Sequence, residues 1–308
     1  MTSPIEKTLA LLDLEKIDKN VFSWQGENFG WHRIYGGQVM AQSLIAAYQT
    51  VEKKHFAHSF HSYFLRPGLL EDSILFDVDS IRDGKSFTTR RVRAIQNGEA
   101  IFACSISFQK DEKGFEHQID DTFNDVPKPN DLPSDWDLRK DAIDKMKSQR
   151  PKSSFLREQE IEMRSVQHVD YANPEKIDPV KDIWMRPNGE IPKDLEINQA
   201  LLLYASDRGL LGTAQHPHGI NFMSKYFQAA SLDHAMWFHA KIDFSNWFLH
   251  RIDSPIARNA RGFARGSFYD QQGRLIASCA QEGLMRMWTL QKKINFSAHQ
   301  ALQQLFQD

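Results

Sequence analysis

Two stretches of this chain are apolar at almost every position over a helical length, and each is followed by long runs of alternating apolar and polar residues. The first is Gly36–Thr50. The second is Asn198–Ala214, where Ala200, Leu201, Leu202, Leu203, Tyr204, Ala205, Leu210 and Leu211 leave no consistently polar side. A surface helix keeps one polar face, so this pattern predicts a helix enclosed by protein. The alternating runs predict strands with one buried face, and Asn97-Gly98 and Gln272-Gly273 between them predict hairpin turns. Glu6, Asp13 and Glu15 interrupt the apolar residues near the N-terminus, which predicts an amphipathic helix docked on the body.

The chain also resembles itself. Arg90, Gly98 and Cys104 recur as Arg265, Gly273 and Cys279, and His58–Phe64 (HSFHSYF) pairs with Ser231–Trp237 (SLDHAMW) at nearly the same offset. Two correspondences at nearly one offset predict a duplicated unit: a buried helix wrapped by about five strands. That is the hotdog arrangement, and the fold expected is α+β, a double hotdog of two tandem units paired edge to edge. Eight of the twelve prolines lie between residues 111 and 192, among Asp, Asn and Lys clusters of weak periodicity, as in a connector. The division expected is an N-terminal unit at 1–115, a Pro/Asp-rich connector at 116–158, and a C-terminal unit at 159–308 that carries the chemistry and ends in an extra tail from 287.

Charge narrows the partners. With 38 Lys plus Arg against 40 Asp plus Glu, no global field or basic run suits nucleic acid. The longest apolar run of the strand-and-helix body, Ala200–Ala205, is far short of a membrane span, and the acid-interrupted N-terminus is no signal peptide. Phe306-Gln307-Asp308 is not a peroxisomal address. A cytoplasmic protein without membrane insertion is expected. The only cysteines, Cys104 and Cys279, offer neither a disulfide framework nor a CxxC zinc site, and both lie in apolar strand runs.

Asp207 is the most informative candidate, because it interrupts the apolar helix, where an unpartnered ionised carboxylate is costly. A wet pocket explains it; so would an ion pair with Arg208, except that helix neighbours point to different faces, or an emergence of the helix into solvent near Gly209 and Gly212. Ser231 is read as opening the strand Ser231–Ala240, and a hydroxyl there ordinarily just caps a strand end. Gln281 is read as following the strand Leu275–Ala280. The internal alignment sets it opposite Ile106, so a polar group replaces an apolar one. The first helix offers Gln38, Gln42 and Gln49 but no acid. There is no GxSxG elbow, GxGxxG or GxxxxGK[ST] loop. His55, His58 and His61 recur every third residue, which puts neighbours on opposite strand faces and speaks against a shared metal; His234 and His239 are read as ordinary strand histidines. Arg82, Lys85, Arg90, Arg91, Arg93, Arg258, Arg261 and Arg265 suit either a phosphate-bearing carrier or an exposed, alternately charged strand face.

Several stretches resemble the acyl-CoA thioesterase II family of bacteria and peroxisomes: Leu11–Asp18 (LLDLEKID), Tyr35–Val39 (YGGQV), His58–Gly68, Ile81–Phe87, Ala94–Gly98, Gln215–Gly219 (QHPHG), Leu232–His239, Ala260–Arg265 and Gln281–Arg286 (QEGLMR). The resemblance runs from about residue 5 to 287 and covers both copies. It implies a double hotdog with one site in the second copy, whose catalytic residues fall on Asp207 in Tyr204-Ala205-Ser206-Asp207, on Ser231 and on Gln281. The family typically has a threonine where Ser231 stands; serine keeps the hydroxyl but lacks the methyl that restricts the rotamer. The reaction implied is hydrolysis of fatty acyl-CoA to fatty acid and coenzyme A, with acyl-CoA as the partner and no cofactor or metal. Fold analogy implies a homodimer or homotetramer. The alternatives are a hotdog hydratase acting on 2-enoyl-CoA, which would want a histidine where Gly212 stands, and a non-catalytic acyl-CoA-binding protein.

Overall fold

The computed structural model describes residues 3–26, 33–119, 126–143 and 159–288. In chain order its helices are α1 (Pro4–Leu11), α2 (Gly36–Tyr48), α3 (Asp135–Ile143), α4 (Leu195–Ser206) and α5 (Leu210–Gln215). The strands of the first half are β1 (Glu15–Asp18), β2 (Val21–Trp24), β3 (His55–Phe64), β4 (Ile74–Asp83), β5 (Phe87–Gln96) and β6 (Glu99–Lys110). Those of the second are β7 (Ile161–Ser165), β8 (Val180–Pro187), β9 (Phe227–Ser231), β10 (Asp233–Phe238), β11 (Phe248–Arg258), β12 (Arg261–Tyr269) and β13 (Leu275–Met287). The N-terminal expectation is met only in part: α1 stops at Leu11, and Glu15–Asp18 is strand. The proline-rich region is not uniform connector either, since it contains α3, β7 and β8.

Twelve strands form one antiparallel path, β1-β2-β4-β5-β6-β3-β10-β13-β12-β11-β8-β7, and β9 pairs with β13. Read inward from either end, the two halves give the same order, with β7, β8, β11, β12, β13 and β10 repeating β1, β2, β4, β5, β6 and β3. The duplicated α+β unit foreseen from the sequence is therefore present in the topology. The halves meet at β3 and β10, where His234 lies opposite Ser62 and Ala235 opposite His61. Asn97 and Gly98 adopt φ of 49° and 78°, the left-handed pair that a two-residue hairpin requires.

The sheet wraps α2 and α4, which pack against each other. Twelve of the thirteen residues of α2 are buried, and so are nine consecutive residues of α4, from Asn198 to Ser206. Apolarity on all sides follows: no face of these helices reaches water. At the C-terminal end of α2, the Tyr48 hydroxyl donates to Gln199 Oε1 and accepts from Ala57 N at 2.8 Å, while Gln199 Nε2 donates to Ala57 O at 2.8 Å. The other end of the helix pair is built differently. Among the described residues, no helix is long and apolar enough to cross a membrane.

Candidate active site

The single helix expected over Asn198–Ala214 is in fact two. α4 ends at Ser206, Asp207 is its C-cap, and α5 begins at Leu210. Gly209 makes the break with φ of 94°, a conformation that disfavours any Cβ. A Cβ there would also lie 2.8 Å from the Cδ1 atoms of Ile183 and Ile252. Asp207 therefore stands at a helix end rather than mid-helix, and at the end where the helix dipole opposes a negative charge. The N-terminus of α2 faces it and offsets that field: Gly37 N donates to Asp207 Oδ2 at 3.1 Å. The approach depends on two glycines, since a Cβ on Gly36 would sit 2.6 Å from Asp207 Oδ2 and one on Gly37 2.3 Å from Tyr204 O. Tyr35, the N-cap of α2, fixes the same junction by donating to Tyr204 O at 3.0 Å. Sequence reasoning gave neither glycine a role, although the Gly36-Gly37 pair at the mouth of a buried helix was a visible sign of close approach.

Ser231 closes β9 instead of opening β10, because the strand is interrupted at Leu232. Gln281 lies inside β13, opposite Ala264, not after a strand. Glu282-Gly283 look like a turn in sequence but continue the strand. A side chain on Gly283 would meet Leu211 Cδ1 at 2.6 Å, so the glycine serves packing. β9 pairs alongside β13, with Gly283 opposite Ser231, and this brings the two side chains together.

All three candidates converge. Gln281 Nε2 donates to Asp207 Oδ1 at 2.6 Å and to Ser231 Oγ at 3.0 Å, and Ser231 Oγ donates to Asp207 Oδ1 at 3.3 Å. The amide must turn its NH2 this way, because its carbonyl would oppose two oxygens. Gln281 Oε1 is buried and has no partner among the described residues. Burial pushes the Asp207 carboxyl up to about 6, against the lowering pull of the Gln281 amide, the Gly37 N–H, the Ser231 hydroxyl and the Arg208 charge.

Arg208 does not pair with Asp207. It forms a salt bridge with Glu160, donates from Nη1 to Gln159 Oε1 at 2.8 Å, and lies over the ring of Tyr35. Glu160 also accepts from the Tyr204 hydroxyl at 2.5 Å. Ser206 Oγ donates to Leu203 O at 2.8 Å, so the buried His234 must carry its proton on the Nε2 that faces this oxygen at 2.9 Å. Burial lowers that imidazole to about 3, and it packs neutral beneath the site. Among the described residues, no three His, Cys, Asp or Glu side chains converge as a metal set.

Asp207 and Ser231 open onto a cavity of about 490 Å³ between β8, α5 and β9, with apolar walls such as Ile183, Leu211 and Phe222. Five of the arginines considered for phosphate binding lie elsewhere and are engaged. Arg91 pairs with Asp79, Arg93 with Asp77, Arg261 with Glu282 and Arg265 with Asp253, and buried Arg90 ties Asp83 to Thr50. Cys104 and Cys279 are buried, and burial raises both thiols well above their ordinary range.

Comparison with known proteins agrees with this architecture. Residues 27–109 match the family model of the acyl-CoA thioesterase N-terminal domain, and residues 152–284 match that of acyl-CoA thioesterase. The chain is 37% identical over 286 residues to acyl-CoA thioesterase 2 of Haemophilus influenzae, covering 93% of this chain and 99% of that protein. It is 33% identical over 284 residues to human acyl-coenzyme A thioesterase 8, covering 90% and 88%. The crystal structure of an acyl-CoA thioesterase II from Mycobacterium marinum matches with a TM-score of 0.74 at 34% identity, covering 92% of this chain and 99% of that one. A protein of unknown function with a hot dog fold from Alicyclobacillus acidocaldarius matches at 17% identity with a TM-score of 0.72, which shows the shared fold.

Proposed function

Since the chain belongs to the acyl-CoA thioesterase family and is a thioester hydrolase, we propose that Asp207, Ser231 and Gln281 position and deprotonate the water that cleaves a fatty acyl-CoA. The observation that supports this most is the convergence of the Ser231 hydroxyl and the Gln281 amide on one oxygen of a part-buried carboxylate at a cavity wall. These two donors occupy both lone-pair directions of Oδ1, and Gly37 takes one of the two on Oδ2. The direction left on Oδ2 accepts a proton from water, and the remaining lone pair of Ser231 Oγ helps to orient that water.

Asp207 takes the proton as the water oxygen bonds to the thioester carbon. The carbonyl π electrons move onto oxygen to give a tetrahedral oxyanion. When the carbonyl re-forms, the C–S bond breaks and its electron pair leaves with sulfur. A thiol has an ordinary pKa of about 8.5, so the coenzyme A sulfur departs as thiolate near neutral pH with little help from an acid. Asp207 then releases its proton to solvent or to the thiolate, which restores the base. The apolar cavity walls receive the chain that extends from the thioester, on its acyl or its pantetheine side.

Asp207→Asn tests this directly. Release of coenzyme A thiol from a saturated acyl-CoA should fall by roughly 10²- to 10⁴-fold, the range for a lost general base, while the circular dichroism spectrum is unchanged. Turnover at the wild-type rate would remove Asp207 from the reaction. The hydratase alternative predicts loss of a 2-enoyl chromophore without thiol release, and the binding-protein alternative predicts neither. The exposed edge strand β1 favours assembly into a homodimer or homotetramer, to be checked by light scattering, and the cytoplasm is the compartment proposed, to be checked by fractionation. The domain limits 1–115, 116–158 and 159–308 are proposed with limited proteolysis as their test.

A further inference from the structure

The cavity that begins at Asp207 is apolar along its walls but ends in hydrogen-bond donors. Strand alternation on β8 points Ile183 and Lys181 to the same side, and both line the cavity. Ile183 touches the Gly209 bend next to Asp207; Lys181 lies two residues further along, a step of about 7 Å. α5 runs in the same sense, from Leu210 at the bend to Gln215, a length of roughly 9 Å. Lys181 and Gln215 thus mark the end of the cavity remote from Asp207. His216, next to Gln215, lies near enough to feel the charge of Lys181.

Lys181 is only 8% exposed and lines the cavity. Gln215 is 1% exposed, and its Nε2 has no acceptor among the described residues. A buried amide N–H left open costs stability, so this open donor, with a lysine lining the same cavity, calls for an acceptor from outside the chain. Two other polar side chains on these walls are committed: Asn221 Nδ2 donates to Tyr171 O at 2.9 Å, its Oδ1 accepts from Met223 N at 2.8 Å, and Asp135 accepts from Ser165 N at 2.8 Å and Ser165 Oγ at 2.7 Å. Arg139 adds a second cation to the wall.

We propose that this end of the cavity is an oxyanion subsite in which Lys181 and Gln215 bind a charged group of the substrate remote from the thioester: a coenzyme A phosphate, or a carboxylate at the far end of the acyl chain. The two sources share one chemistry, an oxyanion that accepts from the ammonium and the amide together. The proposal rests on Asp207 marking the reacting end of the cavity.

Thiol release by wild type, Lys181→Met and Gln215→Leu on octanoyl-CoA, octanoyl-pantetheine and ω-carboxyoctanoyl-CoA tests it. If the anion is a phosphate, K181M raises KM roughly 10- to 100-fold for both coenzyme A substrates, the worth of a charge-assisted hydrogen bond, and leaves octanoyl-pantetheine unchanged. If it is a chain-end carboxylate, only ω-carboxyoctanoyl-CoA loses affinity. Unchanged KM on all three, or an equal loss on all three, overturns the proposal, the second because it marks a merely structural lysine. Should K181M fail to fold, Q215L carries the same pattern with a KM rise of roughly fivefold, the worth of a neutral hydrogen bond. The D207N result stands apart from these ratios: full D207N activity sinks the hydrolytic reading whatever KM does.

Discussion

Replacing Gly36 by alanine should damage catalysis while barely touching the fold. Its Cβ would be 2.6 Å from Asp207 Oδ2, roughly 1 Å inside ordinary contact. The carboxylate has little room to yield without cost, because Gln281, Ser231 and Gly37 all hold it. The ring of Phe64, 2.9 Å from the new methyl, can give more cheaply than the trio. A displacement of about 1 Å in a reacting group costs on the order of 10² in rate, equivalent to about 2.7 kcal/mol of lost transition-state stabilisation. Stability should move little: alanine at the start of a helix gains up to ~1 kcal/mol over glycine, which offsets part of the strain. The assay is steady-state thiol release beside thermal unfolding. A kcat about 100-fold down with a melting temperature near wild type is expected. Wild-type kcat in Gly36→Ala would refute the close approach of α2 to Asp207 as a requirement for turnover.

Because burial raises Asp207 to about 6, the proposed base would be protonated and inactive below that pH and free above it. The value of kcat/KM should therefore climb tenfold per pH unit below about 6 and level off above 7, a profile to be read from initial rates in constant-ionic-strength buffers; a plateau extending to pH 4 would contradict the burial argument. Ser231→Ala and Gln281→Ala should each slow hydrolysis by roughly 10- to 100-fold. The double variant should lose less than the product of the two, since both side chains bind the same oxygen and each other. Strictly multiplicative losses would mean that they act apart.

The turn at Asn97-Gly98 and the enclosed helices were legible in the sequence, because dipeptide chemistry and all-round apolarity each have one physical solution. The meeting of Asp207, Ser231 and Gln281 was legible only through family resemblance, since a strand-end serine and a lone glutamine are individually ordinary. The helix break at Asp207–Gly209 was hidden: apolar periodicity runs straight across it, and a glycine inside a helix reads as tolerated. The same ambiguity misplaced Gln281, because Glu282-Gly283 has turn composition while Gly283 is small only to admit Leu211. The hairpin at Asn259-Ala260 was missed for the opposite reason. Ala260 takes φ of 57° without being glycine, and Met285 N donates to its carbonyl at 2.7 Å. Tertiary pairing there overrides local preference.

The Tyr48–Gln199 plug has a stoichiometric meaning. A pair of identical units related by symmetry would make two equivalent clefts, one at each junction of helix ends. In this chain the junction opposite Asp207 is sealed by a tyrosine hydroxyl and an amide that satisfy each other and the backbone of Ala57. With that junction closed and the other carrying the proposed site, an active-site titrant should saturate at one equivalent per polypeptide.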